Sequence, residues 1–154
     1  MGVRFLFPLL LSVTIFCQAS ECRTLTRKER SLAELARMVK LTTGRKAIDF
    51  VPYGNWCGIG GSGKAVDPID KCCQTHDNCY MKARDQGKCK AILSLYLAKY
   101  NWKSEKDTIV CSIPEDGNEC DLASCYCDRE VALCLGKNID SYRKDHKFAR
   151  SFGS

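Results

Sequence analysis

Apolar residues in "SLAELARMVK", residues 31–40, return every three to four positions. Leu32, Leu35 and Val39 fall along one face of a helix, with Glu34 and Arg37 between them. The same period runs through residues 67–84, where Ile69, Cys72, Cys73, His76, Cys79 and Tyr80 define an inward face and Asp67-Pro68 supplies a cap and a first-turn proline. A third helical stretch extends from about Asn118 to Leu135 through "NECDLASCYCDREVALCL". Between the two long helices, "AKYNWKSEKDTIVCS" alternates enough to predict a small antiparallel hairpin around Lys103 to Asp107. The pattern is that of a mainly α domain.

Ahead of the first amphipathic helix, Arg4 precedes an apolar run from Phe5 to Phe16, and Cys17-Gln18-Ala19 offers small residues for cleavage before Ser20. Residues 1–19 are therefore expected to be a signal peptide; their apolar core is shorter than the roughly 20 residues that span a bilayer. Arg27-Lys28-Glu29-Arg30 resembles a processing site and stands where the helical pattern begins. The expected division is a propeptide at 20–30 and one compact domain at 31–154, secreted to the extracellular space. Twelve cysteines suit an oxidising compartment. Cys17 leaves with the leader and Cys22 with the propeptide, so an even set remains that can pair completely.

The formal net charge is +6, half of it contributed by the first thirty residues, which is too weak a bias to argue for nucleic acid. Basic residues gather near the C-terminus, at Arg143, Lys144, Lys147 and Arg150. Such a tail either meets an anionic membrane surface or is a solvated terminus.

The run "CGIGGSGKAVDPIDKCCQTHDNCY", residues 57–80, carries spacings found in nucleotide-binding loops. Pro52 and Gly54 break any strand before it, Ala65 lacks the hydroxyl that follows a phosphate-loop lysine, and Asp67-Pro68 starts the helix beyond the glycines. No nucleotide is expected. Glycines here permit close backbone approach and inward-pointing carbonyls, which suit calcium when a carboxylate such as Asp77 stands nearby. A glycine-rich turn with no ligand is the alternative.

Cys72 and Cys79 are seven residues apart, as are Cys127 and Cys134. Seven residues rise about 10.5 Å in a helix, so two such ladders can be bridged twice; antiparallel packing would pair Cys72 with Cys134 and Cys79 with Cys127. Asp128 then lies at nearly the height of His76, where a carboxylate can fix the imidazole tautomer. By itself His76 reads first as an ordinary buried histidine; a calcium carboxylate beside it and an aspartate opposite it reverse that reading. With no serine in a nucleophile context, the chemistry these groups suggest is histidine-assisted attack by water on an ester whose carbonyl calcium polarises.

Taken together, "YGNWCGIGG", "DKCCQTHDNCY" and "CYCDREVALC" resemble the secreted phospholipases A2 of the pancreatic and venom type, over essentially all of residues 31–150. The resemblance implies a mainly α, disulfide-rich fold: two long antiparallel helices stapled by disulfides, an N-terminal amphipathic helix, a calcium loop and a small antiparallel β-wing. It implies hydrolysis of the sn-2 ester of glycerophospholipids at a membrane surface. Calcium would be held by the carbonyls of Trp56, Gly58 and Gly60 and the carboxylate of Asp77, with the Gly58 N–H facing the oxyanion. His76 would be the general base and Asp128 its orienting partner, with Tyr80 and Tyr100 completing the network. Leu32, Leu35 and Val39 would line the acyl channel, and a free amino group at Ser31 would join the hydrogen bonds behind the interfacial surface. The implied disulfides are Cys57–Cys73, Cys72–Cys134, Cys79–Cys127, Cys89–Cys120 and Cys111–Cys125. Against many relatives the chain has Asn55, Leu41 and Ser104 in place of cysteines, no cysteine in its tail, and Trp56 in place of tyrosine. The rival expectation is a phospholipase-like binding protein that keeps the scaffold without turnover.

Overall fold

A computed structural model describes residues 30–148 apart from position 107. The expected signal peptide at 1–19, the propeptide up to position 29 with Cys22, Asp107 at the hairpin turn and Arg150 lie outside the described residues. Helix α1 covers Arg30–Thr43, α2 Pro68–Asp85, the short α3 Ile92–Tyr96 and α4 Glu119–Lys137; strands β1, Asn101–Glu105, and β2, Thr108–Ser112, form one antiparallel hairpin with Lys103 opposite Val110. Short 3-10 turns at Ala47–Phe50, Ile139–Ser141 and Lys144–His146 shape the connections. The α3 turn had no counterpart in the sequence reading, since five residues carry too little periodicity to announce a helix.

The centre of the molecule is the α2–α4 pair. Asp67 caps α2 by accepting from the Asp70 N–H at 2.8 Å, with Pro68 in the first turn. Asn118 caps α4 in a reciprocal box with Asp121. Asp121 is nearly buried and its other oxygen accepts from the Lys99 N–H at 2.6 Å, tying the segment before β1 to the start of α4. Disulfides Cys72–Cys134 and Cys79–Cys127 join α2 to α4 with opposite chain order, so the helices are antiparallel. Cys57–Cys73, Cys89–Cys120 and Cys111–Cys125 fasten the loop before α2, the segment after it and β2 to the same pair. Loss of a native bridge from a domain of this size typically costs ~2–5 kcal/mol.

Helix α1 lies against α4. Met38 and Val39 enter a core with Phe50, Ile69, Ala132 and Leu135. The end of α1 approaches α4 closely enough for the Thr42 hydroxyl to donate to the Ala132 carbonyl at 2.7 Å. A Cβ added at Gly136 would meet the Thr42 carbonyl oxygen at 2.8 Å. Leu32, Leu35 and Val39 sit at three depths: Val39 is buried, Leu35 packs on the core edge and Leu32 is half exposed.

Gly136→Ala should destabilise the domain. Alanine's helix preference, about 1 kcal/mol, favours the variant, whereas overpacking against a backbone oxygen costs about 1–3 kcal/mol and outweighs it. Urea unfolding with disulfides intact should show a lower midpoint; an unchanged or raised midpoint would contradict close α1–α4 packing.

Candidate active site

His76 and Tyr80 occupy the inward face of α2, one helical turn apart, and both reach Asp128 on α4. His76 Nε2 lies 2.8 Å from Asp128 Oδ1, and the Tyr80 hydroxyl donates to the same oxygen at 2.6 Å. Tyr100, just before β1, donates to Oδ2 at 2.5 Å, while the Ser31 carbonyl lies 3.4 Å from the same hydroxyl. Asp128 is fully buried, and the His76 side chain keeps a small exposed edge. As a carboxylate, Asp128 accepts from both tyrosine hydroxyls, and the ring nitrogen facing Oδ1, Nε2, then carries the hydrogen. The ring's lone pair is then on Nδ1.

Burial, followed by the negative charge of Asp128, pushes the Tyr80 and Tyr100 hydroxyls well above the ordinary tyrosine range. Tyr96, at the end of α3, packs edge-on against Tyr80, and its hydroxyl is raised by burial and then by the charge of Asp77. Asp77 follows His76 on α2 and is partly buried.

The loop before α2 is shaped by a residue absent from the sequence reading. Asp70 is completely buried; Oδ1 accepts from the Trp56 N–H at 2.7 Å and Oδ2 from the Asn55 and Val66 N–H groups at 3.0 Å each. Gly54 has φ +54°, and a Cβ there would fall 2.4 Å from the Asp70 carboxyl carbon, so only glycine fits. Gly58, at φ +124°, occupies a conformation closed to ordinary L residues. Two of the residues that the resemblance marks as departures, Asn55 and Trp56, also brace the loop. Asn55 donates to the Lys64 carbonyl at 2.8 Å, and the Trp56 indole donates to the Gly63 carbonyl at 3.1 Å. Asp70 could have been suspected from "DPID", where its spacing from Asp67 matches a capping box, but its carboxylate turns to the loop.

The donors that the family resemblance implies for a cation here, the carbonyls of Trp56, Gly58 and Gly60 and the carboxylate of Asp77, are all oxygens. Among the described residues no three His, Cys, Asp or Glu side chains converge as a metal cluster, so a cation at this loop would depend on backbone oxygen. That donor set fits a hard cation such as calcium and not a thiophilic metal.

A family model described as Phospholipase A2 matches residues 32–147. A phospholipase A2 of Calliactis polypus is 41% identical over 121 residues, covering 79% of this chain and 72% of its own. One of Bos taurus is 39% identical over 121 residues, covering 77% and 81%. The group IID secretory phospholipase A2 of Mus musculus is 41% identical over 121 residues, covering 78% and 79%. The chain belongs to the phospholipase A2 family, a family of enzymes.

The tyrosines give the site an alkaline signature. Unfolded tyrosines ionise near pH 10, whereas folded Tyr80 and Tyr100 hold their protons beyond it, so above that pH the unfolded chain binds fewer protons and stability falls as pH rises. The urea midpoint should drop between about pH 9 and pH 11, and the drop should be smaller in Tyr80→Phe. An identical slope in wild type and variant would contradict the buried network.

Proposed function

We propose that the chain is a secreted, calcium-dependent phospholipase A2. It hydrolyses the sn-2 ester of glycerophospholipids at membrane surfaces and releases a fatty acid and a lysophospholipid. The observation that carries the proposal is His76 held by buried Asp128 through Nε2, one residue from Asp77. A base and a metal carboxylate adjacent on one helix put proton transfer and carbonyl polarisation at one place.

His76 Nδ1 takes a proton from the attacking water and returns it to the leaving alcohol. Asp128 holds the ring and stabilises the imidazolium formed between those steps. Tyr80 and Tyr100 fix the carboxylate so that it accepts and does not rotate. Trp56, Gly58 and Gly60 through their carbonyls, and Asp77 through its carboxylate, would hold calcium. When bound, calcium would polarise the ester carbonyl and offset charge on its oxygen. The Gly58 N–H would add a hydrogen bond to that oxygen.

Several exposed apolar residues lie near the loop, and they support docking on a lipid surface. The Phe148 N–H donates to the Pro52 carbonyl, Lys147 Nζ to the Ile48 carbonyl, and a Cβ at Gly58 would lie 3.7 Å from Val51. Ile48, Val51 and Phe148 are therefore grouped beside the calcium loop, all exposed, with Lys147 among them. Apolar side chains edged by cations suit an anionic bilayer. Of the tail cations, Arg143 is paired with Asp145, which leaves less charge for the membrane than the sequence alone implied. Among the described residues no helix is long and apolar enough to cross a membrane. A phospholipase-like binding protein would not require His76, Asp77, Asp128 and the glycine loop together, and their joint presence favours the enzyme.

Two substitutions separate base from metal. His76→Gln should lower turnover on phospholipid vesicles by roughly 100- to 10,000-fold while leaving calcium affinity near wild type. Asp77→Lys should remove saturable calcium binding, measured by calorimetry, with the fold intact by circular dichroism. Near-normal turnover in the first, or tight calcium binding in the second, would overturn the assignment.

A further inference from the structure

The chain's second histidine, His146, lies far from His76 in sequence and belongs to a strap that crosses the entrance to the glycine loop. Residues 142–148 run over residues 49–54. Tyr142 stacks on Tyr53 with ring centroids 5.1 Å apart, and its hydroxyl donates to the Asp49 carbonyl at 3.0 Å. The Arg143 N–H donates to the Tyr53 hydroxyl at 3.0 Å, Tyr53 bridges to Lys147, and the Phe148 N–H reaches the Pro52 carbonyl at 3.3 Å.

His146 is the one residue of this strap that holds both the loop and α2. Its carbonyl accepts from the Gly54 N–H at 2.9 Å, and its ring Nδ1 lies 2.7 Å from Oδ2 of Asp67, the residue that caps α2. The Tyr53 hydroxyl donates to the same Asp67 oxygen at 2.5 Å. Asp67 is largely buried and His146 about three-quarters so. Since a carboxylate only accepts, Nδ1 donates, which either the neutral ring or the imidazolium can do.

Three successive N–H groups are consequently fixed from two sides: Gly54 by the His146 carbonyl, and Asn55 and Trp56 by Asp70. The next group along the chain is the Trp56 carbonyl. We propose that His146 is a positioning residue for the calcium loop. By clasping Asp67 it locks the strap, and the strap sets the entry of the Gly54–Trp56 segment and with it the direction of the first carbonyl offered to the cation. The proposal rests on calcium binding at that loop, and its physical basis is general: hydrogen-bonded partners behind the ligands of a metal commonly control affinity through ligand orientation.

The test uses the processed protein with His146→Ala and His146→Asn, the asparagine amide placing a donor near the position of Nδ1. Titration with calcium alone should show affinity weakened roughly 10-fold in the alanine variant and mostly restored in asparagine. Hydrogen exchange at Gly54, Asn55 and Trp56 in calcium-free protein should quicken in alanine and slow again in asparagine. Saturating calcium should recover most of the turnover that the alanine variant loses at limiting calcium, because the defect lies in affinity for the cation. Calcium affinity unchanged in His146→Ala, or reduced equally in both variants, would overturn the proposal. If wild type itself bound no calcium, the metal assignment would fail separately, and the exchange rates would decide the clasp: unchanged loop exchange in alanine refutes it.

Discussion

The buried carboxylate of Asp128 is the constraint around which the molecule is organised. A carboxylate at zero exposure is costly unless its oxygens are satisfied, and here three hydrogen-bonding partners from two other parts of the chain meet them. Two of those partners are on α2, so α2 must lie against α4 in one register; the third is Tyr100, so the segment leading into β1 must pass beside them. The Cys72–Cys134 and Cys79–Cys127 bridges enclose the same interval and limit sliding of the helices. Tyr100 extends the constraint to α1, since the Ser31 carbonyl lies within reach of its hydroxyl. The start of the domain and the proposed catalytic pair thus share one side chain.

Other aspartates repeat the device on the main chain. Asp70 gathers three loop N–H groups, Asp121 holds Lys99 and Asn118, and Asp67 caps α2 while receiving Tyr53 and His146. Asp70 and Asp121, anchored on long helices, organise irregular backbone that has no ladder of its own, while Asp67, beside α2, gathers side chains from two loops. The helices form the rigid part and the loops inherit their geometry from it. Asn55 and Trp56, which depart from the family pattern, contribute side-chain bonds within the loop itself.

The helices were legible because their apolar and cysteine positions recur at helical spacing, and the α2 and α4 boundaries were marked by Asp67-Pro68 and Asn118. The hairpin was legible from alternation. The family resemblance located His76, Asp77 and Asp128, and the antiparallel ladders independently placed His76 opposite Asp128. The contacts by which Asp70, Tyr96 and His146 shape the site were not legible, for a physical reason: Asp70 takes the Asn55 and Trp56 N–H groups, Tyr96 packs on the Tyr80 ring and His146 meets Asp67, and no local period records pairings at such separations. The unequal depths of Leu32, Leu35 and Val39 were hidden for a related reason. A helical face says which way residues point, while their burial depends on how far α4 and the hairpin extend over that face.

The proposed chemistry depends on Asp128 fixing one tautomer of His76, with hydrogen on Nε2 and the lone pair on Nδ1. Nitrogen-15 NMR of the protein at a pH where His76 is neutral tests this directly, because the two ring nitrogens have distinct shifts when protonated and unprotonated. The Asp128 contact predicts a single His76 species with a protonated Nε2 and an unprotonated Nδ1. A His76 protonated at Nδ1, or averaged between the two tautomers, would contradict it.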